Sequence, residues 1–256
     1  MQVQAALMIG IAGIATGAGA LPLLLFTSIP RRVVDGLLGF AAGVMLSAAS
    51  FSLMVPAFQG GRVLLPILGL LAGSGLLAAA DYVVPHLHPG VNERGRSLGG
   101  DGRDRNLGGG GRRAVWLALV AVALDNVPEG LSVGVSFAAG DHYRAVVLAG
   151  AIALQNMPEG LAAALPLINA GTSRRRAVLY TFLAGLTEPL AAVLGLGLVR
   201  IAAGLLPFAL AFAAGCMIYA AADEMLPEAF SHGHLREVVA GLIGGYALMA
   251  MVEQLL

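Results

Sequence analysis

Eight apolar runs, each long enough to cross a bilayer, constrain this chain more than any other feature of its sequence. A hydrocarbon core of about 30 Å needs roughly 20 consecutive apolar residues in an α-helix. Cutting the sequence at its charges and Pro/Gly clusters gives such runs at about 3–27, 36–57, 62–86, 114–139, 144–170, 177–203, 205–226 and 236–256. The expected architecture is an all-α integral membrane protein, one domain over 1–256, with eight transmembrane helices. Composition agrees: 58% of residues are hydrophobic, 12% are charged and mean hydropathy is +0.83, outside the range of soluble domains. The first run lacks a basic leader and exceeds the core of a secretory signal, so it reads as a retained span. A formal net charge of zero argues against a nucleic-acid partner, and the single cysteine, Cys216, excludes a disulfide framework or a Cys-based metal cluster.

Arginine sets the orientation. All 15 basic residues are arginines. Arg31, Arg32, Arg94, Arg96, Arg103, Arg105, Arg112, Arg113, Arg174, Arg175, Arg176 and Arg236 follow spans one, three, five and seven, against only Arg62, Arg144 and Arg200 on the other side. By the positive-inside rule both termini face outward and the connection between spans three and four is cytoplasmic. That connection, 87–113, is Gly-rich and polar and reads as a disordered tether. Eight helices divided in this way suit an inverted 3+2+3 organisation, although the outer triplets show no clear residue-level similarity.

Chemistry concentrates in a repeated motif. "ALDNVPEGL" (123–131) returns as "ALQNMPEGL" (153–161) near the middle of spans four and five. The four-residue connection "GDHY" makes these helices antiparallel neighbours. Positions i and i+4 share a helix face, so Asp125 pairs with Glu129 and Gln155 with Glu159. Pro128 and Pro158 cannot donate a backbone hydrogen bond and press on the carbonyls of Leu124 and Leu154, so both helices are expected to kink and expose backbone oxygen. Glu188, beside Pro189 in "TEPLAA", adds a third mid-membrane position, and Pro189 is expected to kink its helix as well.

Each of these acids costs on the order of 3 kcal/mol at the bilayer centre, so Asp125, Glu129, Glu159 and Glu188 together would cost roughly 10 kcal/mol unpaired. No lysine exists and no arginine lies near the span centres, so protons or a bound cation must offset the charge. Asp125, Asn126, Glu129, Gln155, Asn156, Glu159 and Glu188 are too many donors for one ion, and two adjacent sites bridged by Glu129 and Glu159 are expected. Met45 on span two would add a soft ligand if it reached the same cavity, and is otherwise core packing. Protonated acids joined by interhelical hydrogen bonds are the bland alternative.

These segments resemble the ZIP (Zrt/Irt-like) divalent metal transporters, and the bacterial GufA-type branch in particular. The resemblance is carried by "DNVPEG", "QNMPEG", "TEPLAA", "GVMLSAASFSLMVP" and "AAGCMIYAAADEMLPE", and covers nearly all of the chain except the cytoplasmic loop. It implies uptake of divalent transition metals, typically zinc, cadmium or iron, into the cytoplasm across a bacterial inner membrane, with periplasmic termini and a homodimer. The metal is substrate, and no cofactor is implied. Carried over by motif position, one site would use Met45, Asp125, Glu129, Gln155 and Glu159, and the second Asn126, Glu129, Asn156, Glu159 and Glu188. The family motif on helix four normally begins with His where this chain has Asp125. A carboxylate hardens that site, which weakens the expected preference for zinc and raises tolerance of manganese, iron or cadmium.

The histidine pairs His86/His88 and His232/His234, with Asp223 and Glu224, fall on the arginine-rich side and are candidates for metal exit or gating. Their bland reading is solvated charge at helix ends. Two other function classes stay open: a proton- or metal-responsive membrane regulator, and an intramembrane enzyme with Glu129 and Glu159 as acid and base. The second lacks a nucleophilic Ser or Cys near the motifs, and neither brings a soluble output domain.

Overall fold

A computed structural model of the chain describes residues 2–26, 28–59, 61, 63–83 and 110–254. Among these residues the secondary structure is helical throughout. The first span is α1 (Gln2–Gly19) with the short α2 (Pro22–Leu25), which starts where Pro22 can occupy a first-turn position without losing a bond. The second joins α3 (Arg31–Ala48), a π-helical segment Ala49–Met54 and α4 (Val55–Phe58). The third to fifth are α5 (Leu64–Val83), α6 (Gly110–Ala138) and α7 (His142–Asn169). The sixth is α8 (Arg174–Gly185) with α9 (Thr187–Ile201). The seventh runs from a short 3-10 turn through α10 (Leu206–Ala220), a second π segment Ala221–Met225 and α11 (Leu226–Phe230), and the eighth is α12 (Leu235–Gln254).

Seven of these spans are long and apolar enough to cross a membrane; α6, with 29 residues, is the eighth long helix and packs among them. Residues 84–109, most of the expected tether and with it His86 and His88, lie outside the described residues, and α6 begins at Gly110. Helices α3 and α8 start at their arginines, several residues before the apolar runs. A helix can extend past the hydrocarbon so long as its charges sit at the interface.

Packing divides the spans into two bundles. In one, α1 lies along α7 and α6 lies along α9; in the other, α3 lies along α12 and α5 along α10. The bundles meet where α3 crosses α7 and where α10 crosses α6. Small residues make these approaches possible, because association in lipid relies on van der Waals contact between backbones. A Cβ added at Gly43 would land on the Leu242 carbonyl, and one at Gly245 on that of Phe40, so α3 and α12 touch backbone to backbone.

One ion-pair network ties the second bundle together on its arginine-rich side. Asp35 is fully buried and accepts a hydrogen bond from Arg31 Nε at 3.0 Å. Its other oxygen lies 2.7 Å from His234 Nδ1, and His232 Nδ1 is 3.4 Å from the first. Arg31 also pairs with Glu228 and Arg32 with Glu237, which joins α3, α11 and α12.

Candidate metal site

The repeated motif becomes a pair of facing helix surfaces. α6 and α7 run as continuous helices through Pro128 and Pro158. Gln155 Nε2 donates to Glu129 Oε1 at 2.6 Å, and so links the two motif copies directly. Asn156 Nδ2 donates to Glu188 Oε2 at 2.7 Å and lies 3.4 Å from the Ala12 carbonyl, which brings in α9 and α1. Asn126 donates to the Val122 carbonyl at 2.6 Å and accepts from Thr16 Oγ1 at 3.2 Å. Asn126, Glu129, Gln155, Asn156 and Glu188 are all buried, whereas Asp125 and Glu159 are half-buried.

The glycine that ends each motif has a positional reason. A Cβ on Gly130 would land on the Glu188 carbonyl, and one on Gly160 on the Thr16 carbonyl. Each P-E-G sequence thus places a carboxylate and, one residue later, lets a neighbouring helix come close enough to add its own polar group. Glu188 reaches this position because the sixth span breaks at Leu186. Pro189 has no N–H for the Gly185 carbonyl and its ring crowds it, so α8 ends at Gly185 and α9 restarts with Glu188 in its first turn. The positive end of α9 then sits beside the carboxylates, where a helix N-terminus favours negative charge. Thr187 donates to the Ala123 carbonyl at 3.0 Å and so fastens this restart to α6.

The second bundle supplies the opposite wall. Glu224, which the sequence places at the end of helix seven, lies on the π segment and approaches Asp125 within side-chain hydrogen-bonding reach. Asp125 also feels the charges of Glu159 and Glu129, and Glu129 those of Glu159 and Glu188. Met45 is buried on α3, the helix that crosses α7. Asp223 points elsewhere: it and Asp81 are both within hydrogen-bonding reach of the Tyr219 hydroxyl. His232 and His234 lie against Asp35. Thr16 was not anticipated; its signal was a lone hydroxyl in the small-residue run "GIATGAG" of the first span.

The distinctive feature is what these groups leave undone. Asp125 Oδ1, Glu129 Oε2, Gln155 Oε1, Asn156 Oδ1, Glu159 Oε2 and Glu188 Oε1 are each shut off from solvent with no hydrogen-bond partner. An unmet buried acceptor normally costs on the order of 1–3 kcal/mol, and more when charged. Six such oxygens on three helices are acceptors that a bound cation could satisfy. Among the described residues no group of three His, Cys, Asp or Glu side chains converges as a metal cage, and Gln155 and Asn156 hold Glu129 and Glu188 by amide hydrogen bonds.

Fold and site together define a polytopic helical membrane protein with an oxygen-lined, acid-rich centre. The chain belongs to the ZIP zinc transporter family, whose model matches residues 93–253. It is 38% identical over 261 residues to the zinc transporter ZIPB of Bordetella bronchiseptica, an alignment covering 95% of this chain and 79% of that protein. It is 35% identical to the zinc transporter GufA of Myxococcus xanthus, with 95% of both chains covered. It is 32% identical to the zinc transporter ZIP11 of Homo sapiens, with 93% of both covered. Family membership makes this chain a metal transporter rather than an enzyme, and zinc the metal its relatives are named for.

Proposed function

We propose that the chain carries zinc across a bacterial inner membrane into the cytoplasm through a binuclear site bridged by Glu129 and Glu159. The observation that carries this reading is the set of six buried, unpartnered oxygens, with no basic side chain among the described residues paired to them. One ion is assigned to Met45, Asp125, Glu129, Gln155 and Glu159, with Glu224 as an added donor at its edge. The other is assigned to Asn126, Glu129, Asn156, Glu159 and Glu188. Zinc–oxygen bonds of about 2.0–2.2 Å require the two amide hydrogen bonds to open as metal enters, which lets Gln155 and Asn156 turn their oxygens inward.

Position supports the direction. Asp125, Glu159 and Glu224 are the partly exposed members, and Glu224 lies toward the arginine-rich end of the seventh span, assigned to the cytoplasm. Seven of the donors ride on one bundle, while Glu224 and Met45 ride on the other. Movement of one bundle past the other would remove that wall and open the site to a different side. Exchanging spans one with six, two with seven, three with eight and four with five maps each close helix pair onto another. It also maps one π segment and its following proline onto the other. That exchange supports the inverted 3+2+3 organisation; the homodimer rests on the family resemblance alone. Asp125, where the family motif has His, extends the substrate range we propose to manganese, iron and cadmium.

A zinc titration of the purified protein tests the site. Two equivalents should bind, and Glu129→Ala and Glu159→Ala should each lose both. Full stoichiometry in either variant would overturn the bridged arrangement.

A further inference from the structure

We infer that the groove between α6 and α8 on the arginine-rich face binds an anionic phospholipid, its phosphate at Arg176 and one acyl chain between the helices. The groove has a volume of about 740 Å³. Trp116, Leu119 and Val120 of α6 form one wall, Tyr180 and Leu183 of α8 the other, and Arg176 stands at the rim. The floor is Thr187, whose hydroxyl is bonded to α6 through the Ala123 carbonyl. Along a helix, Arg176 to Thr187 spans about 16 Å. Half of a hydrocarbon core of about 30 Å is nearly the same length. The groove therefore runs from the headgroup region to the end of one leaflet, which is the reach of a single acyl chain.

Charge selects the headgroup. Arg31 and Arg32 are paired with acids, and Arg174 donates to the carbonyls of Leu23 and Phe26. Arg176 is exposed, and among the described residues no carboxylate or carbonyl engages it. A cation at the mouth of an apolar slot calls for a ligand that joins an anion to a hydrocarbon tail. Basic pockets between transmembrane helices on the cytoplasmic side meet that description for anionic lipids. Trp116, 66% exposed, and Tyr180 flank the mouth, as aromatic side chains do at headgroup level. The floor gives the lipid a consequence. Ala123 is two residues from Asp125 and Thr187 is adjacent to Glu188, so a seated chain braces the two helices that carry opposite ends of the donor set.

Trp116 is the sole tryptophan of the chain, so its fluorescence reports on this groove alone. The full-length protein is placed in phosphatidylcholine bilayers with a trace of lipid brominated on its acyl chains, either phosphatidylglycerol or phosphatidylcholine. Brominated phosphatidylglycerol should quench Trp116 with about fivefold higher apparent affinity, the effect of one arginine near an anionic headgroup. Arg176→Gln should bring that ratio to one, while Arg175→Gln, exposed outside the groove, should leave it unchanged. Millimolar inorganic phosphate should not relieve the quenching. Equal quenching by the two lipids in the unmodified protein would reduce the groove to ordinary lipid contact. Absence of quenching by both would mean that protein covers it, and relief by phosphate would mean a free-anion site. A preference that survives Arg176→Gln would remove the assigned headgroup contact. Each of these results overturns the proposal.

Discussion

Replacing Gly130 with alanine tests how the motif is built, because the glycine has no side chain to serve as a donor itself. Its added methyl would overlap the Glu188 carbonyl and also press on the Ala191 side chain at 2.9 Å. Neither neighbour is the free end of a flexible side chain, so the start of α9 must retreat by about 1 Å or more, an overpacking strain of about 1–3 kcal/mol. Metal–ligand bonds tolerate only about 0.2 Å of error. The displaced Glu188 should therefore lose its metal, while the Asp125 end of the site stays in place. Zinc titration of Gly130→Ala should show one equivalent lost and one retained at lower affinity, with a thermal midpoint a few degrees below the parent. Glu188→Ala should reproduce the loss of that equivalent without the fall in midpoint. Two equivalents at unchanged affinity in Gly130→Ala would refute the positional role assigned to the glycine.

Other variants probe separate parts of the account. Asp125→His restores an imidazole at the harder end of the site and should raise preference for zinc over manganese several-fold in competition uptake; an unchanged ratio would mean that this position does not set selectivity. Glu224→Ala removes the acid that the second bundle brings against Asp125 and should weaken binding at that end without abolishing the Glu188 end, as read by the two steps of a zinc titration. Asp35→Asn removes the buried charge that holds Arg31 and His234, and should cost about 2 kcal/mol of stability in thermal unfolding. Its zinc stoichiometry should stay intact, since the network lies in the bundle that does not carry the main donor set.

The spans were legible because apolar length is a one-dimensional property, and each donor on α6, α7 and α9 was legible because a carboxylate in mid-membrane is costly enough to demand a reason. What escaped was set by contacts between spans. Pro189 announced a disruption, but the helix breaks at Leu186, because the lost bond and the crowded carbonyl fall four residues before the proline. The π segments at Ala49–Met54 and Ala221–Met225 depend on one extra residue per turn, which hydrophobic pattern does not record. Without the second of them Glu224 reads as a helix-end charge; with it, Glu224 faces Asp125. His232 and His234 read as solvated or metal-binding because their partner, Asp35, lies almost 200 residues away in sequence. The glycines of the two P-E-G motifs looked like generic small residues until the carbonyls of Glu188 and Thr16 were found against them.

Uptake into proteoliposomes tests the central claim most directly, with zinc, cadmium, manganese and iron measured in parallel beside Glu129→Ala. The account predicts saturable zinc flux in the parent protein and none above background in the variant. Equal zinc flux in both, or zinc bound by the parent without any flux, would contradict it.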